Sequence, residues 1–479
     1  MAPSTMVPKT AMPSPTEYTA AEAVRLLADG SSTARQLTDF YSERISRLNP
    51  QLNAVLAVDA DGARAAAAAS DDRRHAGIPL GPLDGVPVLI KDNIEAVGLP
   101  GTAGSRALLG SPPDRDAPLV ERLRGAGLVI LGATNLSEWA NCRSTASTSG
   151  WSAVGGQTRN PFDPERSTSG SSSGSAAAIA AGLAPLAVGT ETDGSIISPA
   201  GVCGVVGFKP TLGRIPGAGI VPISSRQDTA GPMARTVTDA AALFAVLSGG
   251  SPRPLEPGSL AGRRVALWRP DGMTDDITAV FDAVADRLRR AGCTLTETRA
   301  PTSSPFEDAE FAALVAEFSV ELPAYLQARP GNHPRTWDEL LAFNRADEVE
   351  LSRFSDDIFG LCAELRGGVA SEEYRHHRDT IDRACRQALA DVLGDAEFAL
   401  APTNSPAWPI SYGAADEHGL FTSSLCAVTG APSISLPAGT ASGLPLGVSV
   451  LGRREEDEKL LAFAADLQAL LPGLDYPLD

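Results

Sequence analysis

From Trp151 to Ser175 the chain is dominated by Gly, Ser, Thr, Asn and Pro, a composition that ordinarily marks a loop or a linker. A linker there would divide the fold between two apolar segments. The flanking sequence favours the loop. Leu128-Val129-Ile130-Leu131 upstream has the continuous apolar character of a buried strand. Downstream, Ala176 to Gly182 is strongly helical and Leu186-Ala187-Val188 reads as the next strand. An ordered polar loop that runs into a helix, with the helix's positive end facing it, belongs inside an α/β unit.

The alternation extends in both directions. Thr19-Ala20-Ala21-Glu22 and Thr33-Ala34-Arg35-Gln36 have the spacing of capping boxes, and Leu37, Phe40, Tyr41, Ile45 and Leu48 then recur at helical spacing. Val86, Val88, Leu89 and Ile90 form an apolar strand that ends in Lys91, and Leu119 to Leu123 reads as a helix. Arg264 to Leu267 is a further strand, followed by an amphipathic helix carrying Val280, Phe281, Val284 and Leu288. Ile434 to Pro437 and Leu446 to Leu451 are late strands. The expected class is α/β, a sheet covered by helices. Residues 305–395 are acidic, Arg-rich and helical, with two readings: an inserted cap that shapes a pocket, or outer helices without substrate contact.

With 479 residues, 43% of them hydrophobic, the chain can bury a large core. A net charge of −18 argues against a broad nucleic-acid surface and suits a neutral or cationic small substrate. Six cysteines occur without a C-x-x-C pair or a Cys/His cluster, which points away from structural zinc and from a disulfide framework. Residues 1–15 read as a flexible tail without the apolar core of a secretory signal, and no run approaches a membrane span. No nucleotide-binding glycine motif is present, so no cofactor or metal is expected. The expected setting is a cytoplasmic protein free of nucleic acid and membrane, its oligomeric state open.

The chemistry concentrates in three residues. Ser195 closes Gly189-Thr190-Glu191-Thr192-Asp193-Gly194-Ser195, Ser171 lies in Gly170-Ser171-Ser172-Ser173-Gly174-Ser175, and Lys91 precedes both. A serine hydroxyl attacks a carbonyl only when something accepts its proton, usually a histidine. None of His75, His333, His376, His377 and His418 lies in or beside these motifs, which leaves the lysine as candidate base. Its reference pKa of about 10.4 would have to fall through burial. Ser172, Ser173 and Ser175 are read as holding the loop or capping the helix, Cys142 and Cys203 as packed residues, and Asp228 and Arg235 as structural contacts. Arg143 is read as touching substrate or as a surface charge.

Together these motifs resemble the amidase signature family. The resemblance continues through Pro199-Ala200-Gly201, Val206 to Thr211, Asp228 to Arg235, Ala401-Pro402-Thr403 and Gly443 to Gly447, so it spans roughly residues 20–470. Within the family the chain is most similar to bacterial peptide amidases, through Asn135 to Asn141, Gly150-Trp151-Ser152, Gly155 to Pro161 and Gly189 to Ser195. The resemblance implies one large domain over residues 16–479, built on a mixed sheet enclosed by helices. It also implies Ser195 as nucleophile, Ser171 as bridging acid/base, Lys91 as the base behind it, and a cis peptide bond before Ser171. Backbone N–H groups of Thr192, Asp193, Gly194 and Ser195 are the expected oxyanion donors. Substrate-binding residues are not legible.

Many family members carry two glycines before the nucleophile and an arginine two positions after it; here Asp193 with Gly194, and Ile197, stand there. The Asp193 side chain should therefore turn away from the developing charge, and Ile197 removes a partner for an acidic substrate. The expected reaction is hydrolysis of a carboxylic amide through an acyl-enzyme, with C-terminal peptide amides as candidate substrates. The alternatives are an aryl- or alkyl-acylamidase, the A subunit of a tRNA-dependent amidotransferase, and a catalytically silent binding protein, which retention of all three residues disfavours.

Overall fold

Thr19 and Thr33 open the first two helices of the computed structural model, which describes residues 19–255, 258–301, 306–365 and 368–478. The tail expected over residues 1–15 lies outside them. Thr33 Oγ1 accepts from Gln36 N at 3.1 Å while Gln36 Oε1 accepts from Thr33 N at 3.0 Å, a complete capping box. Thr19 Oγ1 accepts from Glu22 N, but the Glu22 carboxylate pairs with Arg25 instead of reaching back. Such caps contribute about 1 kcal/mol each. The second helix, Ala34–Leu52, buries Leu37, Tyr41, Ile45 and Leu48 as its spacing requires.

Strands follow in the order β1 (Val55–Val58), β2 (Pro87–Lys91), β3 (Val129–Thr134), β4 (Trp151–Ser152), β5 (Gly156–Gln157), β6 (Leu186–Glu191), β7 (Val206–Lys209), β8 (Thr229–Ala234), β9 (Arg264–Trp268), β10 (Thr294–Thr298), β11 (Phe398–Pro402), β12 (Ser433–Ala441) and β13 (Leu444–Leu451). β4 and β5 make a small ladder inside the Gly/Ser-rich loop, which is thus ordered. The other eleven form one sheet, β1-β3-β2-β6-β8-β7-β12-β13-β11-β9-β10. It is mixed: β3-β2-β6 and β11-β9-β10 are parallel, and the remaining pairs antiparallel.

Alternation along the strands shows that both faces are covered. On β9, Val265 and Leu267 pack with Phe281, Val284 and Leu288 of the helix Asp275–Arg290, while Ala266 and Trp268 pack with Ile381 and Leu389 of the helix Glu372–Leu393. The segment expected to be helical holds the helices Glu307–Ala328, Trp337–Ala346, Asp357–Glu364 and Glu372–Leu393, with no strand among its described residues. Phe318, Trp337 and Phe359 form an aromatic cluster there, and Phe359 meets Trp139 at 5.8 Å between centroids. That contact ties the helical segment to the loop that precedes Asn141 and Cys142.

Candidate active site

Parallel pairing of β2 with β6 matches Val88 to Leu186 and Ile90 to Val188, which brings Lys91 beside Thr190. Lys91 is fully buried. Its Nζ donates to Ser171 Oγ at 2.7 Å, to Thr190 Oγ1 at 2.8 Å and to Thr190 O at 3.3 Å, all neutral oxygens. Asn93 Nδ2 donates to the same Thr190 Oγ1 at 3.0 Å. Burial without a carboxylate in direct contact lowers the Lys91 pKa to about 7, against the raising influence of Glu191 and Asp228. Thr190 belongs to the Gly189 to Ser195 motif and Asn93 lies two residues after Lys91; their contacts around the lysine emerge only from this register.

Ser171 reaches Lys91 on a loop with a cis Gly170–Ser171 bond. Glycine is required at 170, because a Cβ there would lie 2.1 Å from Ser137 Oγ. The neighbouring serines hold the loop as expected. Ser172 Oγ donates to Thr190 O at 3.0 Å, Ser173 Oγ to Ser169 O at 2.7 Å, and Ser175 Oγ to Val188 O at 3.2 Å. Ser172 N also donates to Ser195 O at 3.0 Å, which fastens the two serine loops together. Ser195 is 8% exposed, whereas Ser171 is fully buried. Ser195 lines a cavity of about 320 Å³ together with Gly170, Thr192 and Asp193. Of the three, Ser195 alone lines this cavity, while Ser171 and Lys91 are buried.

The loop before Ser195 is held from several sides. Glu191 Oε2 accepts from Ile196 N at 2.7 Å and Ile197 N at 2.9 Å. Thr192 Oγ1 donates to Asp228 Oδ1, and Asp228 Oδ2 accepts from Ile223 N and Ser224 N. Burial raises Asp228 to about 7 against these hydrogen bonds. Gly194 has φ +76°, and a Cβ there would sit 2.2 Å from Phe421 Cζ. Asp193 accepts from Ser423 Oγ, and burial raises its carboxyl and that of nearby Glu310.

The cavity walls come from distant parts of the chain: Asn141 and Cys142, Ile223, Leu314 of the helix Glu307–Ala328, and Trp408, Asp416, His418 and Phe421. Burial pushes the Cys142 thiol up, so it stays neutral. His418, far from the motifs in sequence, returns to this cavity. Its ring packs against Trp408 and Phe421, at 6.0 and 5.2 Å between centroids. Lys91 is nevertheless the basic group bonded to Ser171.

Arg143 corrects the sequence reading: it is neither on the surface nor in the cavity lining. It is fully buried, with Nη1 between Glu138 at 3.1 Å and Glu350 at 3.0 Å. Arg235 is structural as expected, donating to the carbonyls of Ile179 and Ala180 at the end of the helix Ser173–Ala180. Among the described residues no group of His, Cys, Asp and Glu is placed to hold a metal ion.

The Amidase family profile matches residues 36–461. The chain belongs to the amidase signature family. The native peptide amidase of Stenotrophomonas maltophilia is similar in structure, with a TM-score of 0.90 at 38% identity, covering 96% of this chain and 98% of that one. The A subunit of glutamyl-tRNA(Gln) amidotransferase from Salinispora arenicola is 35% identical over 96% of this chain and 99% of its own length. A probable amidase of Arabidopsis thaliana is 36% identical over 92% of this chain and 87% of its own length. The mixed sheet with its helices is the amidase signature fold, and the chain is an amidohydrolase.

Proposed function

We propose that this amidase hydrolyses a carboxylic amide through a Ser195–Ser171–Lys91 relay, with C-terminal amides of peptides or amino acids as substrates. The observation that carries the reading is the 2.7 Å contact of Lys91 Nζ with Ser171 Oγ, made by a lysine buried among neutral oxygens. Neutral Lys91 takes the Ser171 proton as Ser171 takes the Ser195 proton, and Ser195 Oγ bonds to the amide carbon. N–H groups of Thr192, Asp193, Gly194 and Ser195 face the oxyanion, each donor being worth about 2.7–4 kcal/mol in comparable sites. Return of the proton from Lys91 through Ser171 to the amide nitrogen expels ammonia. Water, deprotonated by the same relay, then cleaves the ester and leaves the carboxylic acid.

The preference for peptide or amino-acid amides is supported by the likeness to peptide amidase and by the cavity. There Ile223, Leu314, Trp408 and Phe421 suit an apolar side chain, while Asp193 and Asp416 disfavour an acidic one. Leu314 on the cavity wall supports the reading of the helical segment as a cap that shapes the pocket. The likeness to the amidotransferase A subunit supports a second reading, in which glutamine is the amide and ammonia passes to a partner. All six cysteines are free, which accords with a cytoplasmic setting.

The test is ammonia release from a panel of peptide amides, aryl amides and glutamine, with Ser195→Ala, Ser171→Ala, Lys91→Met and His418→Ala beside the wild type. Peptide amides should turn over in wild type and His418→Ala and fail in the other three. Turnover surviving in Lys91→Met but lost in His418→Ala would transfer the base to the histidine. Glutaminase activity that appears only with a partner would favour the second reading.

A further inference from the structure

A second cavity, of about 590 Å³, shares no lining residue with the Ser195 cavity. Its walls carry five guanidinium groups, from Arg226, Arg378, Arg386, Arg453 and Arg454, against one carboxylate, Asp382. The chain as a whole has the opposite balance, 58 acidic residues to 40 basic. Asp382 is shared by three of the arginines, at 3.0 Å from Arg226, 3.2 Å from Arg378 and 3.4 Å from Arg386. Glu317 stands 3.9 Å from Arg226 and 3.8 Å from Arg378, and Glu455 is 3.7 Å from Arg454. Four of the five thus share three carboxylates, and the fifth, Arg453, donates to the carbonyls of Gly394 and Ala396 at 3.1 and 2.8 Å.

One of the five is poorly satisfied in a specific way. The Arg378 side chain is only 5% exposed, and its Nε faces Asp382 Oδ1 at 3.2 Å without forming a hydrogen bond, so both buried atoms lack one. A buried donor in that state is a standing cost that an oxygen of an entering anion would relieve. The rest of the wall is apolar, through Leu212, Leu389, Leu393 and Val428. A volume of this order is that of a small-molecule site.

We propose that this cavity binds an amphiphilic organic carboxylate, its head on the arginines and its hydrocarbon group on the leucines, and that the loop carrying Ser195 senses the bound anion. Two contacts link the places. Arg378 Nη1 donates to Gln227 Oε1 at 2.6 Å, and Gln227 Nε2 donates to Thr192 O at 3.4 Å and Glu310 Oε1 at 3.0 Å. Val428 and Thr429 line the cavity from the helix Ser424–Thr429, and Ser423, just before it, donates to Asp193. An anion that draws Arg378 toward itself alters the hold on Thr192, next to Asp193 in the loop. The coupling rests on the proposed use of that loop in amide turnover; the binding does not.

Calorimetric titration of the full-length Ser195→Ala protein with octanoate, acetate, octan-1-ol and inorganic phosphate tests the site without turnover. Octanoate should bind saturably and at least about tenfold more tightly than the other three. Arg386→Ala with Arg454→Ala, side chains 68% and 53% exposed, should weaken it about tenfold, the scale of a lost charge-assisted contact. In the active protein octanoate should change kcat, and the double variant should lose that response. No saturable binding, binding indifferent to the arginines, or equal binding of octan-1-ol or phosphate would overturn the site. Saturable binding with unchanged kcat would overturn the coupling. A protein inert toward every amide would overturn the proposed turnover and the coupling with it, while the titration alone still decides the site.

Discussion

Lys91 and Arg143 are both cations buried to 0% exposure, and they are buried in opposite company. Arg143 lies between two carboxylates, with its guanidinium 4.2 Å above the Phe354 ring and 5.5 Å from that of Trp151. Glu350 also accepts from Ser105 Oγ at 2.8 Å and Arg106 N at 2.7 Å, so the cluster pins three loops together. Burial and the adjacent Glu350 push the Glu138 carboxyl up, which the shared guanidinium opposes. Lys91 is bonded only to hydroxyls and a carbonyl. A buried cation given counter-ions keeps its charge, whereas one given only neutral oxygens, as the proposed base is, has its pKa lowered.

Methionine at each position separates the two cases. Lys91→Met should reduce amide turnover by about 10²–10⁴-fold, the usual worth of a general base, and leave the melting temperature at or above that of the wild type. Arg143→Met strands two buried carboxylates and should cost about 3–5 kcal/mol of stability, read by denaturant unfolding. Equal destabilisation by the two variants would erase the contrast. The linkage sign follows from the lowered lysine pKa. Below about 7 Lys91 is protonated in both folded and unfolded states, and its contribution is flat. Between about 7 and about 10.4 only the unfolded state holds the proton, so stability rises with pH by up to about 1.4 kcal/mol per unit. Lys91→Met should lack that rise.

Thr190→Val probes the neutral company directly. It removes the hydroxyl shared by Lys91 and Asn93 and keeps the β-branched shape that suits β6. Loss of one buried hydrogen bond to the base should lower kcat about tenfold, with KM little changed. A KM effect alone would mean that Thr190 serves substrate binding rather than Lys91.

Lys91 is legible in the sequence because an apolar strand ending in a lysine is conspicuous, and Ser173 because a short hydroxyl at a helix start bonds locally, whereas Ser172 and Ser175 reach across to carbonyls of β6. Thr190 and Asn93 are not legible, since their meaning depends on which strand lies beside β2, a pairing no local pattern specifies. Trp408, Asp416 and His418 reach the cavity on irregular chain without periodicity, outside every motif. Arg143 defeats a local reading because its burial depends on Glu350, 207 residues further along. β2, β3, β6, β9, β12 and β13 are readable, and so is the class, whereas β1, β7, β8, β10 and β11 of the same sheet are not picked out by a local pattern. That the sheet is mixed follows from the family resemblance, not from composition.

The smallest expected effect concerns a charge that never touches the lysine. Asp228 raises the Lys91 pKa through space, as Glu191 does, while itself accepting from Thr192 Oγ1, Ile223 N and Ser224 N. Asparagine can keep these contacts, its oxygen on the two N–H groups and its amide toward the threonine hydroxyl. With the negative charge gone, neutral Lys91 is favoured. The acid limb of kcat/KM, expected near pH 7 because only the unprotonated lysine is competent, should move to lower pH by less than about one unit in Asp228→Asn. A limb that moves upward, or that vanishes in Asp228→Asn while persisting in a slow Lys91 variant, would mean that the titrating group is the carboxyl and not the amine. The contrast between the paired arginine and the unpaired lysine would then describe stability alone.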